Sequence, residues 1–122
     1  MQILITGGAG LLGARLAKAL LAQGTLADAQ GKQQAISRIT LLDVIPAKGF
    51  DDPRIKTVAG DISDPEVVKA NLGKDTQSVF HLAAVVSGEA EANFDLRMRI
   101  NLDASRLILE SARQNGNGPP VV

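Results

Sequence analysis

The sequence contains no cysteine, which excludes disulfides, a thiolate nucleophile and any cysteine-ligated metal. Tyrosine and tryptophan are also absent and only three phenylalanines are present, so there is little on which nucleic-acid bases can stack. Thirteen basic and thirteen acidic side chains leave no net charge. These two deficits together argue against a nucleic-acid partner. No apolar run approaches the roughly 20 residues that a membrane helix requires, so no membrane partner is expected. Met1 leads directly into "QILIT", without the basic segment, apolar stretch and cleavage site of a secretory signal, and the expected location is cytoplasmic. A single histidine, His81, with no evident partner cluster, gives no basis for a metal site.

What is present is a chain of 122 residues, 45% apolar, enough for one folded domain spanning residues 1–122. Strand-like runs, "QILIT" (2–6), "RITLLD" (38–43), "IKTV" (55–58), "SVFHLAA" (78–84) and the stub "PVV" (120–122), alternate with helical patterns. That alternation predicts an α/β fold, a Rossmann-type parallel sheet with helices on both faces. The stub supplies only the start of a fifth strand, so the fold is expected to be truncated within or near strand five. Leu11, Leu12, Leu16, Leu20 and Leu21 recur at helical spacing and end near Gly24. Residues 25–37 are polar and lack helical rhythm, which reads as a surface insertion. Ser63 and Glu66 have capping-box spacing, Pro65 suits a first turn and Gly73 can close a short helix. From about Glu89 to Gln114 the pattern is helical again, with Phe94, Met98 and Leu102 on one stripe and Leu96, Ile100 and Leu107 beside it.

The first strand runs into "TGGAGLLGARLAKAL". Gly8, Gly10 and Gly13 fit G-x-G-x-x-G in the required strand–turn–helix context, the first for the tight turn, Gly10 for approach of a pyrophosphate and Gly13 for close helix–strand packing. The positive end of the following helix favours phosphate there. A glycine turn that merely makes a turn is the plainer alternative. A Walker loop is excluded because Ala14 and Arg15 stand where Lys and Ser/Thr are needed. Asp43 ends the second main strand, where a carboxylate receives adenosine ribose hydroxyls and repels a 2′-phosphate, favouring NAD over NADP. It lies 30 residues beyond Gly13 instead of about 20, an excess that the insertion explains if it loops out. An Asp that only caps a turn is the alternative. Asp61 of "GDISD" either accepts from an adenine amino group, with Ile62 over the ring, or is an ordinary turn residue. His81, inside an apolar strand, is expected to be a satisfied core histidine rather than a base or ligand.

In this order "TGGAGLLG", with Gly7, Gly10 and Gly13 at three-residue spacing, "LLD", "GDIS", "HLAA" and "NLDAS" resemble the extended short-chain dehydrogenase/reductases, the NAD-dependent epimerase/dehydratase family. The resemblance covers the whole chain. It implies cofactor roles for Gly7, Gly10, Leu11, Leu12 and Gly13 at the pyrophosphate, Asp43 at the ribose, Asp61 and Ile62 at adenine, and Leu82, Ala83 and Ala84 beside the nicotinamide ribose. Asn101 matches the Asn of the family's "NxxGT" segment, although "DAS" replaces its usual ending. The family's acid/base pair is Tyr-x-x-x-Lys, and this chain has no tyrosine.

The resemblance therefore implies the NAD-binding portion of an oxidoreductase or sugar-epimerase-like enzyme, with hydride transfer left to a longer parent and no turnover by this chain alone. A non-catalytic dinucleotide sensor and a silent assembly module are the alternatives. Incomplete cover of the fourth strand and of the long helix predicts self-association through the long helix or the exposed sheet edge.

Overall fold

The computed structural model describes residues 1–83 and 94–114, with side chains left out for 94–100 and 114. Six strands and three helices fall in these residues: β1 (Gln2–Thr6), α1 (Leu11–Gln23), β2 (Thr25–Ala27), β3 (Gln33–Ala35), β4 (Arg38–Asp43), β5 (Ile55–Ala59), α2 (Pro65–Asn71), β6 (Thr76–His81) and α3 (Phe94–Gln114). The expected strand at 120–122 and the helix start at 89–93 lie outside the described residues.

Strands β5-β4-β1-β6 form one sheet in that order, every pair parallel. The first two crossovers run outward from β1 and the third returns to its other side, so a topological switch point lies between β1 and β6. Period-two alternation divides the core. Ile3, Ile5, Ile39 and Leu41 pack with Ala17 and Leu20 of α1 on one face. Leu4, Leu42 and Val79 pack with Val68, Leu72, Ile108 and Ala112 on the other. Helices therefore cover both faces of the sheet, as the alternation of strands and helices predicts.

Several local expectations change. On α1 the buried line is Gly13, Ala17 and Leu20, whereas Leu11 and Leu12 are exposed. Small residues at the contact let the helix approach the strands, which a pattern of leucines alone does not reveal. Gly24 ends α1 in the left-handed region at φ +76°, and its N–H donates to the Leu20 carbonyl.

The stretch 25–37 is a two-stranded antiparallel hairpin, β2–β3, separate from the main sheet, and not an open loop. The Asp28 carboxylate accepts from the N–H groups of Gln30 and Lys32, each at 3.0 Å, and from Gln34 Nε2 at 2.9 Å. These bonds hold Asp28 below the usual carboxylate range. Leu26 and Ile36 anchor the hairpin against the α1 side of the core.

At α2 the N-cap is Asp64, which accepts from the Glu66 N–H at 3.0 Å. Ser63 was the expected cap. Its hydroxyl instead donates to Asp61 Oδ1 at 2.7 Å, so it is occupied one turn earlier. The helix reaches Asn71 and is capped at Leu72, leaving Gly73 just beyond it.

Among the described side chains of α3 the buried positions are Ala104, Ile108, Ser111 and Ala112, while Leu102 is 68% and Leu109 55% exposed. Leu102 of the expected stripe thus does not face the sheet, and the side chains of Phe94 and Met98 lie outside those described. Leu107 packs partly against the core, as its place beside that stripe allowed.

Candidate functional site: the turn after the first strand

Strand β1 ends at Thr6, and the next four residues reverse the chain into α1. Gly7 has φ +74°, the left-handed region that a side chain disfavours. Its N–H donates to the Leu42 carbonyl at 2.8 Å. A Cβ on Gly7 would lie 2.9 Å from both the Ala83 nitrogen and the Leu82 carbonyl carbon. Gly7 therefore makes the tight turn, a task assigned to Gly8 on the G-x-G-x-x-G reading. Gly8 is needed for another reason: a Cβ there would stand 2.7 Å from Leu41 Cβ, against β4.

Gly10 is exposed, and its Cβ would meet only the Gly7 carbonyl oxygen, at 3.3 Å. It is the N-cap of α1 with extended backbone and no side-chain cap bond, and no acid lies in the first turn. The opening amides of α1 lack intrahelical partners by geometry, and no acidic residue of the helix's own first turn neutralises that positive end. A Cβ on Gly13 would collide with the Gly7 carbonyl oxygen and lie 2.9 Å from Gly8 Cα, so here glycine allows the helix to pass over the turn.

Asp43 stands at the end of β4, next to β1. Its Oδ2 accepts from the Ala9 N–H at 3.0 Å and its Oδ1 from the Val44 N–H at 2.7 Å. The first bond joins the acid to the glycine turn across 34 residues of sequence, so the hairpin's extra length does not separate them. A carboxylate has about four acceptor positions, and two bonds leave capacity for hydroxyl donors. Leu11 and Leu12 (73% and 66% exposed) and Val44 and Ile45 (70% and 63%) flank the turn and the acid at the same edge of the sheet.

Asp61 lies after β5 at that edge. Its Oδ1 accepts from the Ser63 N–H at 2.9 Å and from the Ser63 hydroxyl, and these two bonds lower its pKa. The residue is a turn former in this state, with its other oxygen free of any bond to Ser63. Ile62 is half-buried and packs at the α2 side of the core.

At the end of β6, the Leu82 N–H donates to the Thr6 carbonyl at 3.1 Å, completing the pairing with β1. The Ala83 N–H turns to the Thr6 hydroxyl oxygen at 3.2 Å. This exchange of partner is why the strand stops at His81 and not at residue 84. Leu82 and Ala83 thus border Gly7 at the switch point; Ala84 lies outside the described residues. His81 is satisfied as expected: Nδ1 shares a hydrogen with Thr6 Oγ1 at 2.7 Å and Nε2 with Ser105 Oγ at 3.1 Å. Burial lowers its pKa. Thr6 and Ser105 were not anticipated from sequence. Ser105 is one helical turn beyond Asn101, itself half-buried on α3, and that spacing is the signal that was available. Among the described residues no group of His, Asp and Glu is arranged to hold a metal ion.

A parallel sheet with a glycine turn at its switch point and an acid on the neighbouring strand defines a Rossmann-type nucleotide-binding domain. The chain belongs to the NAD dependent epimerase/dehydratase family, whose model matches residues 3–121. It is 57% identical over all 122 residues to D-erythronate dehydrogenase of Cupriavidus necator, and spans 37% of that protein's length. Among solved structures, the nucleoside-diphosphate-sugar epimerase from Agrobacterium tumefaciens superposes with a TM-score of 0.80 at 36% identity, covering 99% of this chain and 36% of that one. The dTDP-glucose 4,6-dehydratase from Streptomyces venezuelae, solved with NAD bound, superposes at 0.76 with 26% identity, over 98% of this chain and 38% of its own.

Proposed function

We propose that this chain is the NAD-binding domain of an oxidoreductase that transfers hydride between NAD and a sugar acid. The observation that carries this reading is the Ala9–Asp43 hydrogen bond, which places a ribose acceptor beside a turn whose exposed Gly10 leaves room for a pyrophosphate. The similarity to D-erythronate dehydrogenase supports a sugar acid over a nucleotide sugar as substrate. When bound, NAD supplies the hydride acceptor. In this reading, Gly7, Gly10 and Gly13 shape the turn, and the amides of Leu11 and Leu12 face the pyrophosphate. Asp43 accepts from the ribose, Asp61 and Ile62 border the adenine, and Leu82, Ala83 and Ala84 line the nicotinamide-side ribose. The exposed leucines of α1 and Val44 with Ile45 gain apolar cover from the dinucleotide.

Asp43 also supports preference for NAD over NADP, because a 2′-phosphate would bring a second anion against the carboxylate, and neither Val44 nor Ile45 offsets it. Calorimetry with both cofactors tests this. The unmodified protein should bind NAD more tightly, and Asp43→Ala should weaken NAD and narrow the difference. Stronger NADP binding by the unmodified protein would reject the assignment.

The chain has no tyrosine, so a Tyr-Lys acid/base pair has to come from other residues of a longer polypeptide. No described helix is long and apolar enough to cross a membrane, in keeping with a cytoplasmic enzyme.

A second copy of the chain is the proposed partner, through α3. Leu102 and Leu109, seven positions apart, stay exposed on one side of that helix, and a paired helix would cover them.

A further inference from the structure

The turn at the proposed cofactor site is joined to α3 by one continuous set of side-chain hydrogen bonds. Thr6 is fully buried, directly before Gly7. Its hydroxyl oxygen accepts from the Ala83 N–H at 3.2 Å and meets His81 Nδ1 at 2.7 Å, and the far ring nitrogen meets Ser105 Oγ on α3 at 3.1 Å. No buried side-chain polar atom among the described residues lacks a partner, so each link is matched.

The proton inventory restricts how this set can work. A neutral imidazole has one donor and one acceptor nitrogen, and a hydroxyl has one donor and two acceptor positions. Ala83 takes one acceptor position of Thr6. If Thr6 donates to Nδ1, then Nε2–H donates to Ser105; if Nδ1–H donates to Thr6, then Ser105 donates to Nε2. Removing the Ser105 hydroxyl leaves Nε2 without its partner in a half-buried place, and the ring is then held through its Thr6 bond alone. A ring held at one nitrogen fixes Thr6 less firmly, and the other bond of Thr6 holds Ala83 against Gly7, where even a methyl group finds no space. Small displacements of Ala83 would therefore be felt at the turn.

We propose that His81 is a positioning residue which, with Ser105, couples dinucleotide occupancy at the Gly7–Ala83 junction to the order of α3. The coupling rests on the NAD-binding reading above. It is reciprocal: NAD steadies α3 around Ser105, and a loosened α3 weakens NAD.

Hydrogen exchange and NAD titration of the full-length protein test it, with Ser105→Ala, Ser105→Thr, His81→Gln and the His81→Gln/Ser105→Ala double variant. In the unmodified protein, saturating NAD should slow amide exchange both in residues 7–14 and in α3 around residues 101–112. In Ser105→Ala, protection of the turn should persist while the NAD response of α3 is lost, and NAD affinity should fall about 2- to 10-fold, the scale of one hydrogen bond. Ser105→Thr, which keeps the hydroxyl, should restore both. The double variant should bind NAD no more weakly than His81→Gln alone, since both changes cut the same link. Additive losses, or an α3 response that survives Ser105→Ala, would overturn the coupling. Turn protection without any α3 response in the unmodified protein would also overturn it, while leaving cofactor binding intact. Absence of NAD-dependent protection in the turn itself would instead reject the cofactor reading.

Discussion

Two glycines three residues apart should respond to substitution in opposite ways. At Gly13, the Cβ of alanine would collide with the Gly7 carbonyl oxygen and lie 2.9 Å from Gly8 Cα. Both obstacles are backbone and cannot rotate away. Overpacking of this kind costs about 1–3 kcal/mol, and alanine returns up to about 1 kcal/mol through its better helix propensity. With rigid neighbours, a net loss of roughly 1–2 kcal/mol follows, or about 3–10 °C in Tm for a domain of this size. At Gly10, the nearest atom to a Cβ is the Gly7 oxygen at 3.3 Å, and the remaining surroundings are open. Its φ of −76° and ψ of 167° suit any residue, so Gly10→Val should cost no more than about 1 kcal/mol, mainly as a poorer N-cap. Its branched methyls would nevertheless occupy the proposed pyrophosphate space, and NAD affinity should fall at least about 10-fold, or about 1.4 kcal/mol. Thermal unfolding paired with NAD calorimetry separates the two effects. A folded Gly10→Val protein that retains its affinity would refute the placement of the pyrophosphate, and a Gly13→Ala protein as stable as the unmodified one would refute the packing role.

Asp64→Ala should lower stability by about 1 kcal/mol through loss of the α2 cap, while Ser63→Ala, which removes no cap, should cost less; denaturant midpoints measured side by side decide between them. His81 has its pKa lowered by burial, so in the unfolded chain it binds a proton more readily. Its contribution is therefore fully present above its unfolded value near 6.5 and is lost as pH falls from there through the lower folded value, with a slope of at most about 1.4 kcal/mol per pH unit. A Tm profile for His81→Gln that drops as steeply as the unmodified protein's below pH 6.5 would contradict this. Leu102→Lys should lower self-association in light scattering across a concentration series without reducing Tm, because its side chain is already exposed; a monomeric unmodified protein at high micromolar concentration would remove the basis for the α3 contact.

By itself the sequence determined the elements whose local pattern and packing agree. The runs 2–6 and 38–43 became β1 and β4 at those bounds, and α1 ended beside Gly24, because apolar strands and a left-handed C-cap are encoded within a few residues. The order of those elements also made the parallel sheet legible, since strand–helix alternation has few right-handed solutions. Tertiary structure decided what depends on neighbours distant in sequence. Polar residues 25–37 gave no strand signal because their hairpin is held by Asp28 to backbone and Gln34, and anchored by only two apolar residues. The division of labour between Gly7 and Gly8 was open until β4 and β6 were placed against them: one glycine turns the chain and the other makes room for Leu41. The bond from Ala9 to Asp43 required β1 and β4 to be adjacent, and the path from Thr6 through His81 to Ser105 required three elements to meet. No spacing along the chain encodes these distances, because hydrogen bonds act over about 3 Å in space, while the residues they join here lie 24 to 77 positions apart in sequence.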